Sequence, residues 1–177
     1  ESMGGGGDPS PVTAYGVYMG MKASAKKAYG SDSLAGKRIS VQGIGKVGMH
    51  LVELMHAEGA IITVSDINEE SLQHAAITYG AKVVNGNEIY SQDADIFAPC
   101  ALGAILNTEN INALKCSIIA GAANNQLANE DEHGNVAISC ICTQCNATRR
   151  LAPMAGCHQQ RTGTTRASEK PPCQSRA

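Results

Sequence analysis

Ile39-Ser40-Val41-Gln42-Gly43-Ile44-Gly45-Lys46-Val47-Gly48 decides the fold. It opens as a short strand, turns on glycines and runs into Met49-His50-Leu51-Val52-Glu53-Leu54-Met55, a helical stretch. The glycines fit G-x-G-x-x-G. Each has its own physical job if a pyrophosphate lies across the turn. Gly43 permits the tight turn out of the strand, Gly45 lacks a Cβ and lets a phosphate approach the backbone, and Gly48 lets the helix pack on the strand. Unpaired N–H groups at the helix start, with the helix dipole, favour the anion.

The surroundings support that reading. Ile61-Ile62-Thr63-Val64-Ser65 is a second apolar strand with Asp66 at its end, 23 residues after Gly43. That is where a carboxylate grips the hydroxyls of an adenosine ribose. A carboxylate there also repels a 2′-phosphate, which makes NAD rather than NADP the expected cofactor. The competing reading is a plain βαβ unit whose glycines serve packing and whose Asp66 caps the next helix.

Composition bounds the rest. The chain has 177 residues, 43% of them hydrophobic, with no Trp and one Phe, Phe97. That length supports one domain with a core. There is no apolar run long enough to span a membrane and no signal-peptide pattern, so a soluble, cytoplasmic protein with no membrane partner is expected. The net charge of −2 hides an asymmetry. Residues 1–137 hold eight Lys/Arg against fifteen Asp/Glu, net −7, whereas residues 138–177 hold six against one, net +5. Five of the seven cysteines also lie beyond 137. A change this abrupt marks a boundary.

In chain order, residues 1–10 read as a glycine-rich hinge and 11–137 as a NAD(P)-binding Rossmann domain. Ser10 suits an N-cap and Pro11 the first helical position. The first helix is expected to run to about Ala28, with Gly30 as its stop and Val12, Tyr15, Met19 and Ala23 as its buried face. Lys22, Lys26 and Lys27 are expected in solvent. Asn68 can cap a helix over Glu69–Tyr79 that Gly80 ends, and Asn107 one over Thr108–Lys115. Ala81–Val84, Asp95–Phe97 and Ser117–Ala120 complete the strands. The alternation of short apolar strands and helices predicts an α/β fold, a Rossmann-like, doubly wound and mostly parallel sheet, followed by an irregular, disordered tail at 138–177. Ligands bind such sheets at the carboxyl ends of the strands.

Four stretches carry a resemblance. Gly7-Asp8-Pro9-Ser10-Pro11-Val12-Thr13-Ala14-Tyr15-Gly16, the Gly43–Gly48 turn, Asp95-Ile96-Phe97-Ala98-Pro99-Cys100-Ala101-Leu102-Gly103 and Asn124-Asn125-Gln126-Leu127 stand in order. From about Gly4 to Gly134 the chain resembles the glutamate/leucine/phenylalanine/valine dehydrogenases, the leucine-type members above all. The resemblance implies NAD-dependent oxidative deamination of a branched-chain L-amino acid to its 2-oxo acid and ammonia, in a homo-oligomer whose active site lies between a substrate domain and a cofactor domain. It implies that Gly43, Ile44, Gly45, Lys46, Val47 and Gly48 cradle the pyrophosphate and Asp66 holds the adenosine ribose. Thr13 would approach the nicotinamide amide, and Cys100, Ala101 and Asn124 would line the nicotinamide–ribose end.

The departures matter too. The family often has Asn where Lys46 stands; a lysine there either adds attraction for phosphate or is simply solvated. The family's substrate domain and its catalytic lysine have no counterpart here, so no catalytic residue is assigned and the amino-acid substrate would be met through a missing domain. Hydride transfer needs substrate held against the cofactor. The alternative function is a non-catalytic NAD-binding fragment or decayed gene product. After His133-Gly134 the residues leave the family pattern, and the Cys-, Arg-, Thr- and Gln-rich ending reads as a coding sequence out of frame. Cys140, Cys142 and Cys145 with Cys157 and His158 lack the spacing of a zinc site, so no metal is expected. Cys100 has no evident partner His, and the basic tail lacks interleaved aromatics, so no nucleic-acid partner is expected. His50, His56 and His74 are read as surface residues.

Overall fold

Strand β1 (Arg38–Gln42) lies inside the sheet, with its middle residues buried on both faces. The computed structural model describes residues 7–101 and 103–128 and, as strands, 139–142 and 147–150. β2 (Ile61–Ser65) pairs with β1 on one side, with Val41 opposite Val64. β3 (Lys82–Val83) lies outside β2. On the other side β1 pairs with β4 (Ile96–Pro99), which pairs with β5 (Ile118–Gly121). These five strands are parallel in the order β3-β2-β1-β4-β5, so the winding reverses between β1 and β4. The expected doubly wound parallel sheet is therefore present.

Helices cover both faces, and the strands read accordingly as apolar runs. α1 (Ser10–Tyr29), α2 (Lys46–Ala57) and α3 (Glu69–Tyr79) lie over one core, which includes Ile39, Val41, Val64, Ile96, Ala98, Ile118 and Ala120. The intervening strand residues Phe97 and Ile119 point the other way. They meet Ile89 and Tyr90 of a 3-10 turn (Glu88–Ser91), Leu106, and Ile111 of the short α4 (Thr108–Ala113). This period of two is what a pleated strand imposes when both faces are covered. Asn68 and Asn107 cap α3 and α4 as expected, and Gly30 and Gly80 close α1 and α3.

Three expectations need correction. First, α1 buries Ala14, Val17, Met21, Ser24 and Ala25, whereas Val12, Tyr15 and Met19 are 76%, 55% and 45% exposed and Ala23 is exposed too. At 3.6 residues per turn the two sets lie on opposite sides of the helix. Both have helical spacing, so periodicity cannot rank them. The buried set is the smaller in volume, which suits a helix packed against both α2 and the sheet. Second, Ser10 does not cap α1. It is the first helical residue, and Asp8 Oδ1 accepts from its N (3.0 Å) and its Oγ (2.6 Å). These bonds hold the Asp8 carboxyl below the ordinary carboxylate range. Third, Lys22 is not simply solvated. The Glu58 carboxylate accepts from Lys22 Nζ (2.5 Å), Tyr18 Oη (2.5 Å) and Leu34 N (3.2 Å), tying α1 to the end of α2. Burial disfavours the charged Glu58, but these donors outweigh it and hold its pKa below the usual range.

The sheet also runs further than the sequence reading carried it. β6 (Ser139–Cys142) adds parallel to β5, and β7 (Ala147–Arg150) adds antiparallel to β6. Backbone pairing needs no apolar side-chain pattern, and β5 without β6 would leave a row of unpaired N–H and C=O groups. The rest of the tail, residues 151–177, lies outside the described residues, as do 143–146.

Candidate dinucleotide site

The reversal between β1 and β4 opens a crevice at the carboxyl ends of those strands, and the glycine turn lies in it. Gly43 has φ +89°, and its N donates to Ser65 O at 2.8 Å, joining the turn to β2. A Cβ on Gly43 would lie 2.6 Å from Ala101 N, so the turn packs directly on the segment leaving β4. A Cβ on Gly48 would overlap the Gly43 carbonyl. A Cβ on Gly45 would meet nothing within 4 Å. The glycines thus divide as the motif requires: two are tight against protein and one faces open space.

Gly45 is also the N-cap of α2, and it offers no side-chain acceptor. The first N–H groups of a helix have no partner within it. Those of Lys46, Val47 and Gly48 therefore have no partner within α2, and no side chain caps them. Lys46 Nζ lies 3.6 Å from Asp8 Oδ2 but is 80% exposed. Ile44 plays a different part: its side chain is buried, and its N–H is already taken.

The acceptor of that N–H is Asp66. Asp66 Oδ2 accepts from Ile44 N at 2.6 Å, and Oδ1 accepts from Asn68 N at 2.8 Å. A carboxylate has about four acceptor positions. Two are used to fasten the glycine turn to the start of α3, which leaves about two more.

The far side of the crevice is built from two loops. Cys100 N donates to Gln42 O at 2.7 Å, and Ala123 N to Pro99 O at 2.9 Å. Ala104 N donates to Asn125 O, Leu106 N to Gln126 O at 2.8 Å, and Ala128 N to Leu106 O at 3.0 Å. Ala104 has φ +62°, unusual for a residue with a Cβ, and this pairing holds it there. Cys100 and Ala101 are thereby brought against the glycine turn, with Cys100 Cβ 3.6 Å from a Cβ placed on Gly48. Burial pushes the Cys100 thiol up to about 11, which favours the thiol over the thiolate at neutral pH. Asn124 is exposed on the second loop. Thr13 lies in the first turns of α1, where its hydroxyl donates to Pro9 O at 3.1 Å and keeps its acceptor positions.

Sequence reasoning missed the supports. Gln42 Nε2 donates to Tyr90 Oη at 2.9 Å directly beneath the turn, and Gln126 Nε2 donates to Gly121 O at 3.2 Å. Gln126 stood in a quoted motif, but nothing in its spacing showed that it braces a loop. Among the described residues no three His, Cys, Asp or Glu side chains come together as a metal site. None of the described helices is long and apolar enough to cross a membrane.

A glycine turn at the reversal point of a parallel sheet, backed by an acid at the end of the next strand, defines the class: a Rossmann-like α/β domain. The family model for glutamate/leucine/phenylalanine/valine dehydrogenases matches residues 4–133, and the chain belongs to that family. It is 58% identical over 135 residues to leucine dehydrogenase from Bacillus cereus, across 76% of this chain and 37% of that protein. The solved structure of L-tryptophan dehydrogenase from Nostoc punctiforme superposes with a TM-score of 0.73 at 43% identity, over 76% of this chain and 42% of that one. Hetero-hexameric glutamate dehydrogenase from Thermus thermophilus shares the fold, with a TM-score of 0.61 at 19% identity. The chain thus spans little more than a third of the length of the leucine dehydrogenase it matches.

Proposed function

We propose that this chain is the cofactor-holding part of an NAD-dependent amino-acid dehydrogenase that deaminates a branched-chain L-amino acid to its 2-oxo acid and ammonia. The observation that carries this reading is the Asp66 carboxylate, tied to the glycine turn yet with acceptor positions to spare. Those positions suit the two ribose hydroxyls of NAD, and the charge disfavours a 2′-phosphate. The space beside Gly45 and the N–H groups of Lys46, Val47 and Gly48 would receive the pyrophosphate. Thr13, Cys100, Ala101 and Asn124 would border the nicotinamide end. NAD, when bound, supplies the hydride acceptor; these residues bind and orient it. The likeness to leucine dehydrogenase supports the substrate class. Substrate would be held by a further part of the polypeptide, in a cytoplasmic homo-oligomer.

The test is fluorescence titration of the chain with NADH and NADPH. NADH should bind saturably and more tightly. Asp66→Ala should weaken NADH about tenfold and narrow the gap to NADPH. Asp66→Asn should do nearly the same damage, because an amide nitrogen would face Ile44 N or Asn68 N, donor against donor. An unchanged NADH/NADPH ratio in both variants overturns the ribose assignment. The chain's small share of its relative's length favours a second reading, a non-catalytic NAD-binding module. A complete polypeptide that binds NADH yet shows no leucine-dependent NAD reduction would select it.

A further inference from the structure

Ion pairs tie α1 to α2 at two places, and the two ties differ in kind. At the end of α2, Lys22 Nζ and Tyr18 Oη both donate to the Glu58 carboxylate at 2.5 Å, with the Lys22 and Glu58 side chains mostly buried. At the start of α2, Lys46 Nζ stands 3.6 Å from Asp8 Oδ2, and the two side chains are 80% and 46% exposed. The first tie is architecture. The second is loose: an exposed pair of this kind shifts an equilibrium by no more than about fivefold.

Of the two partners in the loose pair, the lysine is the one free to move. Asp8 Oδ1 accepts from Ser10 N at 3.0 Å and Ser10 Oγ at 2.6 Å, so its carboxylate is fixed against the first turn of α1. Oδ2 is left to Lys46. Lys46 carries its charge on a flexible four-carbon stem. It is also the first residue of α2, directly after Gly45. Its ammonium therefore swings about a helix start that no side chain caps, next to a glycine on which a Cβ would meet nothing within 4 Å. Among the described residues, Asp8 is the one acid in ion-pair contact with it.

We propose that Lys46 exchanges partners: its ammonium leaves Asp8 for the pyrophosphate when a dinucleotide is bound, and Asp8 competes for it, so that the pair sets how tightly this chain holds its cofactor. This rests on the cofactor reading above and adds to it a side-chain ligand and that ligand's competitor. A phosphate oxygen offers Lys46 a charge-assisted hydrogen bond, shorter than the 3.6 Å contact it has with Asp8. The exchange costs little, because the pair that it breaks is solvated. Exchange is distinct from shielding. If Lys46 stayed with Asp8 and merely cancelled its charge, neutralising Asp8 would matter most when Lys46 is absent. If Lys46 transfers, neutralising Asp8 matters only when Lys46 is present.

A double-mutant cycle on NADH affinity separates the two. Lys46→Gln removes the ammonium. Asp8→Asn removes the carboxylate charge but keeps an Oδ1 to accept from Ser10, so α1 keeps its start. In fluorescence titrations of the 177-residue chain at low salt, Lys46→Gln should weaken NADH about fivefold and Asp8→Asn should tighten it about threefold. In the Lys46→Gln background, Asp8→Asn should change nothing. The advantage of wild type over Lys46→Gln should vanish near about 1 M salt, where the screening length falls to about 3 Å, a dependence that a packing role for Lys46 would not produce. Unchanged NADH affinity in Lys46→Gln overturns the exchange and leaves the cofactor reading standing. So does an Asp8→Asn effect that is equal or larger in the Lys46→Gln background. A wild-type chain that binds no NADH overturns both.

Discussion

Three of the four described helices start behind a residue in extended backbone, and one of the three is treated differently. α3 and α4 start behind Asn68 and Asn107, whose side-chain oxygens accept from Ser71 N at 3.1 Å and Asn110 N at 2.8 Å. α2 starts behind Gly45, which has nothing to offer. Its other end is the reverse case: the C-cap, Glu58, is held by three donors from α1 and the segment after it. The protein thus anchors α2 at its C-terminal end and leaves its N-terminal end without a side-chain cap, at the place where the proposed pyrophosphate would lie. Helix-end satisfaction forgone at one place is a mark of use, because a side-chain cap there would compete with the ligand for the same N–H groups.

Substitutions can break this comparison or sharpen it. The largest effect should come from Gly48→Ala, whose methyl would overlap the Gly43 carbonyl. It should cost about 3 kcal/mol in urea denaturation and abolish NADH binding. Wild-type stability in that variant would show that the turn is not packed as described.

Glu58→Gln should come next, at about 2 kcal/mol at neutral pH. The sign of its pH dependence is fixed by the lowered folded pKa. The Glu58 contribution is fully present above the unfolded value, about 4.3, and is lost as the pH falls through the lower folded value. The gap between wild type and variant should therefore close on acidification, as followed by denaturation at several pH values. A gap that stays constant would mean that the carboxylate contributes only packing.

Asn68→Ala should cost about 1 kcal/mol by loss of the α3 cap. Gly45→Ser should be the smallest in stability, a gain of a few tenths of a kcal/mol from the new cap, yet should weaken NADH about tenfold by closing the space beside the turn. A Gly45→Ser protein that binds NADH normally would end the distinction drawn between α2 and the other two helices.

The turn, Asp66, both asparagine caps and the parallel winding were legible in the sequence because each rests on a local rule: a glycine spacing, an acid at a strand end, a cap one residue ahead of a helix. What stayed hidden is non-local. The two stripes of α1 have equal periodicity, and only the neighbours of the helix decide between them. Asp8 displaces Ser10 as the anchor of α1 through a side-chain position that spacing does not reveal. Glu58 reads as an ordinary acid at a helix end; its donors come from residues 24 to 40 positions away. Asp66 was legible as an acid at the end of β2, but its bond to Ile44 N depends on how the turn folds back toward β2. The strands beyond 137 escaped because Ser139–Cys142 and Ala147–Arg150 lack the Val- and Ile-rich runs that mark β1, β2 and β5.

The strand order has a consequence in time. β1 and β2 are neighbours in sequence and in the sheet, so their pairing can form early, but the other side of β1 waits for β4, 57 residues downstream by the Arg38–Asp95 pairing. The glycine turn leans on Ala101, and the loop bearing Ala101 is in turn braced by residues 123–128. A chain emerging from the ribosome therefore has the β1–β2 side of the glycine turn available well before the β4–β5 side exists. Nascent chains arrested at increasing length should leave the glycine turn unsupported on its β4 side until the segment after β5 has cleared the exit tunnel, which makes completion of that end of the sheet a late event in the birth of this domain.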